Sequence, residues 1–143
     1  MPIKTFDAAK TIGELTNWRL SNLQMQKILY LAHMFYMGKH GGPLLDEEFE
    51  AWDYGPVLPS LYHKIKFFGS GPVHDIFYNN RIIKDGPEAE ILNQAAQKFA
   101  HTKPGTLVAY THREDGAWSK NYAPGARNMP IKNDDIVREY QSL

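Results

Sequence analysis

In Leu23-Gln24-Met25-Gln26-Lys27-Ile28-Leu29-Tyr30-Leu31-Ala32-His33-Met34-Phe35-Tyr36-Met37, apolar side chains occupy almost every position and Lys27 carries the only formal charge. A helix that is apolar on all sides must be covered on all sides. The stretch therefore predicts a central helix over residues 23–37, buried in the middle of a helical domain. It is too short for a bilayer, which needs about 20 apolar residues. Ser21-Asn22 precede it, and Gly38 with Gly41-Gly42-Pro43 are expected to stop it, because glycine accepts the left-handed cap and proline cannot continue the ladder.

Outward from this helix toward the C-terminus, Phe49, Ala51 and Asp53 alternate with Glu50, Trp52 and Tyr54, which suggests a short extended segment. Gly55-Pro56 turns the chain, and residues 59–68 read as a helix with Pro59 in its first turn, ending at Gly69. Residues 73–84 fit either a small strand pair turned at Asn79-Asn80 or an irregular loop. Residues 88–101 form an amphipathic helix with Ala89, Leu92, Ala96 and Phe99 on one side. A short helix starting at Thr102 or Pro104 carries Leu107, Val108 and Tyr110, and residues 121–130, rich in Gly, Pro and Asn, read as a loop. A terminal helix opens at Lys132-Asn133-Asp134-Asp135. On the N-terminal side, Asp7 is expected to cap a short helix that fades between Gly13 and Asn17. The expected architecture is mainly α: a compact single-domain helical bundle over residues 1–143 around the buried central helix, with at most a small β element.

Composition bounds the function. A chain of 143 residues can bury roughly two-thirds of its unfolded surface in one core. With 43% apolar residues it is too hydrophobic for a disordered chain, and its polar content is too high for a membrane protein. Sixteen basic residues balance sixteen acidic ones, with no Lys/Arg run, so counterion-driven binding to nucleic acid is not expected. The absence of cysteine removes disulfides, thiol catalysis and thiolate metal sites. The first seven residues lack the apolar stretch of a secretory signal, which suits a reducing cytoplasm.

Three groups of residues could carry chemistry. Gln26, Tyr30 and His33 share one face of the central helix, either as an acid–base pair of imidazole and phenol or as core groups bonded to one another or the backbone. The run Phe49-Glu50-Ala51-Trp52-Asp53-Tyr54-Gly55-Pro56-Val57-Leu58-Pro59 presents large aromatics on a rigid turn, as interface anchors do, or else closes the core. His112, beside Glu114 and Asp115, lacks the spacing of a zinc site, and Trp118 can plug into the core. No phosphate loop, nucleophile elbow, metal site or cofactor motif is found.

The segments Lys27-Ile28-Leu29-Tyr30-Leu31-Ala32-His33, Gly42-Pro43-Leu44-Leu45 and the run from Phe49 to Pro59 together resemble the signature of the Panacea domain, a family of SocA-like antitoxins and phage-associated proteins. Tyr62, Leu107, Thr111-His112, Trp118, Ile131 and the stretch from Ile136 to Tyr140 follow in the same order, so the resemblance covers nearly the whole chain. It implies a compact helical fold, no cofactor, and an antitoxin that holds a cognate protein toxin in the cytoplasm. In SocA-like members it also implies an adaptor that hands the toxin to a AAA+ protease. Trp52, Tyr54, Val57 and Tyr62 are the residues expected to form or support the toxin-binding face. Lys27, Tyr30, His33, Gly55, Pro56, His112 and Trp118 are motif positions that serve either folding or contact. The alternative from another class is a small hydrolase, or an enzyme reversing a modification, with His33 or His112 as general base beside Glu50 or Asp53.

Overall fold

The chain was analysed as a computed structural model, which describes residues 2–126 and 128–143. Among the described residues there are seven α-helices and one two-stranded sheet. The helices are α1 (Thr5–Leu15), α2 (Asn22–His40), α3 (Pro59–Ile65), α4 (Gly86–Phe99), α5 (Pro104–Thr111), α6 (Ala117–Asn121) and α7 (Asn133–Gln141). The strands are β1 (Glu50–Trp52) and β2 (Gly55–Val57). No helix is long and apolar enough to cross a membrane.

Helix α2 is the axle. It packs against α1, α3, α4, α5, α7 and β2, and thirteen of its residues are buried, among them Gln26, Lys27, Tyr30 and His33. Its start is fixed by a capping box: the Ser21 hydroxyl accepts from the Gln24 N–H at 3.2 Å, while the Gln24 carboxamide accepts from the Ser21 N–H at 3.0 Å. It is longer than residues 23–37. Gly38 does not stop it but lies within it, where the Tyr140 ring of α7 occupies the space a Cβ would need. The stop is Gly41, in the left-handed conformation at φ 84°.

Other expectations are met or corrected locally. Helix α1 begins at Thr5, with Lys4 rather than Asp7 at the N-cap. The Asp7 carboxylate accepts instead from the Asn80 side chain at 2.9 Å and the Arg81 N–H at 3.1 Å, tying down the segment 73–84. That segment contains no strand among the described residues; it is the irregular loop of the two alternatives, held also by the Ile83 N–H donating to Thr11 Oγ1. The helix over 59–68 divides into α3 and a 3-10 turn over Lys66–Phe68. Helix α6 begins just ahead of the expected loop and carries Trp118.

The small sheet pairs β1 and β2 antiparallel, with Glu50 opposite Val57 and Trp52 opposite Gly55. It is extended by residues next to α7: the Ile131 N–H donates to Phe49 O at 2.8 Å and the Ala51 N–H to Met129 O at 2.9 Å. The N-terminal segment joins the same region, since the Ile3 N–H donates to Leu44 O at 2.8 Å. Both flanks of the chain therefore meet around residues 44–57, on one side of α2.

Candidate functional site

The two-residue turn Asp53-Tyr54 joins β1 to β2 and stands at the edge of the molecule. Its underside is fastened at several points. Lys27, one turn before Tyr30 on α2, reaches up to donate from Nζ to Pro56 O at 2.9 Å. The lysine is 1% exposed, and burial lowers its pKa from the usual lysine value to about 7. Gly55 lies directly over it at φ 115°. A Cβ at Gly55 would come within 2.8 Å of Lys27 Cε, 3.1 Å of Thr111 Oγ1 and 3.2 Å of His112 Nε2, so both the backbone angle and the space call for glycine.

A stack of three rings flanks the hairpin. His112 lies face to face with Trp118 at 3.7 Å between centroids, and Trp118 stacks on Tyr122 at 4.5 Å. Trp118 Nε1 donates to Trp52 O at 2.7 Å, and the Tyr122 hydroxyl donates to Asp53 Oδ1 at 2.7 Å. Trp52 is buried; its Nε1 donates to Glu50 Oε1 at 3.0 Å and its ring meets Tyr62 edge-on at 4.9 Å. His112 Nε2 is buried and has no hydrogen-bond partner among the described residues. Burial and the neighbouring Lys27 charge lower the His112 pKa, opposed by a hydrogen bond with the Tyr54 backbone.

The four residues expected at the binding face therefore occupy different depths. Trp52 and Val57 are buried and Tyr62 is half-buried, while Tyr54 is 73% exposed. Of the expected motif residues, Gly55 and Pro56 belong to this hairpin, and Lys27, His112 and Trp118 gather beneath and beside it. Tyr122 was not singled out in the sequence, although the Asn- and Gly-rich stretch around it marked a loop.

Tyr30 and His33 lie elsewhere, in the interior between α2 and α7. The Tyr30 hydroxyl donates to Glu139 Oε1 at 3.0 Å. His33 Nδ1 accepts from the Leu45 N–H at 3.3 Å and Nε2 faces Asn133 Oδ1 at 3.2 Å, so the imidazole is neutral with its proton on Nε2. Burial takes the His33 pKa down to about 4. Gln26 exchanges hydrogen bonds with Leu58, its Oε1 accepting from the Leu58 N–H at 2.8 Å. All three polar side chains on this helix face are bonded to other elements. Among the described residues, no three His, Asp or Glu side chains converge as metal ligands.

Glu139 is 3% exposed, and the same Oε1 also accepts from the Ala117 N–H at 3.0 Å. Replacing Glu139 with alanine leaves two buried donors without an acceptor. Urea denaturation is expected to show a loss of about 2–4 kcal/mol, against about 1 kcal/mol for Tyr30→Phe, which removes only a donor.

Comparison with known proteins finds relatives of this chain by sequence. Residues 25–119 match the family described as Antitoxin SocA-like, Panacea domain. Antitoxin SocA of Caulobacter vibrioides (strain NA1000 / CB15N) is 32% identical over 111 residues, covering 69% of this chain and 58% of that protein. The chain thus spans little more than half the length of the curated relative it matches. No solved structure matches significantly.

Proposed function

This chain belongs to the family of SocA-like antitoxins with a Panacea domain, and on that premise we propose that it neutralises a cognate protein toxin in the cytoplasm by binding it directly. The observation that carries the reading is the contrast at the hairpin turn. Tyr54 projects at 73% exposure from a backbone whose neighbours on both sides are fastened to α2, α6 and the loop after it. A large aromatic on a turn that is already ordered loses little entropy when it is captured, which is the physical basis of an interface anchor. Trp52, Val57 and Tyr62 support that turn from below, and Lys27, Gly55, Pro56, His112 and Trp118 fix its path.

The test is co-expression with the product of the adjacent gene, followed by affinity pull-down and a growth assay. The unaltered chain is expected to form a complex and restore growth. Tyr54→Ala is expected to weaken the complex by about 30-fold, the cost of truncating an interface anchor, and to lose protection. Its circular dichroism spectrum should match that of the unaltered chain. A neighbour that is neither toxic nor bound would sink the antitoxin reading, and full protection by Tyr54→Ala would remove the hairpin from the interface.

A further inference from the structure

Helix α5 faces the hairpin with Thr111, followed by His112 at its C-cap; its other side, with Ala109 and Tyr110, borders a groove closed by α2, α4 and α7. The groove consists of two adjoining cavities of about 550 and 530 Å3, which share Phe35, Lys98, Phe99 and Leu143. Its floor is apolar: Met34 and Phe35 from α2, Phe99 from α4 and Tyr140 from α7, with Tyr110 47% exposed at one end.

Three cations stand around this floor, Lys39, Lys98 and Arg113, and none of them is in an ion pair among the described residues. Lys98 is held over the groove, its Nζ 5.7 Å from the Phe35 ring centroid and 5.6 Å from that of Phe99. The acidic side chain in the lining is Glu139, which is buried and accepts from Tyr30 and Ala117, and the terminal residue Leu143 makes no ion pair with the cations among the described residues. In a chain with sixteen charges of each sign, this is a local concentration of accessible positive charge beside exposed apolar surface.

We propose that the groove takes an acidic amphipathic helix of the toxin. Two apolar side chains of that helix, one turn apart, seat in the two cavities, and its Asp or Glu side chains lie against Lys39, Lys98 and Arg113. Side chains three or four positions apart on a helix are neighbours, which suits two cavities sharing a wall. Acidic flanks answer three cations that make no ion pair among the described residues. The inference rests on the antitoxin reading but concerns a different face from Tyr54.

The test measures binding of the adjacent gene's product by interferometry at low and high salt, with circular dichroism of every variant. Lys98→Glu combined with Arg113→Glu is expected to weaken binding about 30-fold or more, chiefly through slower association, and to flatten its salt dependence. Tyr110→Ala is expected to weaken it about tenfold through faster dissociation. Should the charge reversal disturb the fold, Lys98→Gln with Arg113→Gln serves in its place, with a smaller loss of the same kind. Binding by the unaltered chain that survives these changes within threefold overturns the groove proposal and leaves the antitoxin reading standing. Failure of the unaltered chain to bind overturns both. Sedimentation showing a dimer that the same substitutions dissociate assigns the groove to a second copy of this chain and overturns the proposal as well.

Discussion

Trp52→Ala is expected to lower the unfolding free energy by about 3–5 kcal/mol, the range for removing a large aromatic from a packed site. The neighbouring substitution Tyr54→Ala is expected to change it by less than about 0.5 kcal/mol. The two residues are separated by one position, yet Trp52 packs on Tyr62 and bonds to Glu50, while Tyr54 is mostly in solvent. Chemical denaturation of both variants checks this directly. Equal losses of stability would mean that Tyr54 is part of the packed hairpin and would remove the premise for its role as an anchor. If both variants lose binding to the proposed partner, the stability difference tells which loss is contact and which is collapse of the support beneath it.

The second large effect concerns Lys27. Its folded pKa is about 7, against an ordinary value of 10.5, so its amine is depressed by folding. The unfolded chain therefore binds a proton that the folded chain gives up between those two values. The Lys27 contribution to stability is full above pH 10.5 and declines as pH falls toward 7, by at most about 1.4 kcal/mol per pH unit. Below about pH 7 both states are protonated and the contribution is constant. Lys27→Met should abolish this dependence. The difference in unfolding free energy between Lys27→Met and the unaltered chain is expected to shrink by about 2–3 kcal/mol between pH 7 and pH 9, with the methionine variant the more stable at pH 7. A difference that stays flat over this range would mean that the buried amine keeps its ordinary affinity for protons. The same variant loses the hydrogen bond to Pro56 O, so it is expected to gain stability while binding the proposed toxin partner less well. That combination marks a residue kept for the shape of the hairpin rather than for the strength of the fold.

The sequence exposed the parts of this structure that depend on local chemistry. The unbroken apolar run of residues 23–37 announced α2 as the buried element, and the aromatic turn with Gly55-Pro56 stood out as a rigid device. What stayed hidden depends on partners distant in the chain. Gly38 reads as a helix stop by itself, but it lies within α2, where the Tyr140 ring, about a hundred positions away, occupies the space a Cβ would need. Asp7 reads as a helix cap, but it serves the loop at Asn80 and Arg81. The alternation around β1 suggested extended structure with one buried side, whereas both sides are covered: Phe49 and Ala51 lie in the core, and Trp52 is covered by Tyr62. The cation-rimmed groove was equally invisible, because Lys39, Lys98 and Arg113 belong to separate segments and each looks like an ordinary surface charge.

The hydrogen bonds from α2 to α7 have a consequence for the making of the protein. Tyr30 and Glu139 are 109 positions apart. At a synthesis rate of about 5–20 residues per second, roughly 5–20 s pass between their additions to the chain. Throughout that interval the helix with the most buried residues is present without the element that satisfies its Tyr30 hydroxyl and covers Gly38. Until α7 is made, the Tyr30 hydroxyl lacks its acceptor, His33 lacks Asn133 and the surface at Gly38 stays uncovered, so this side of the core closes last.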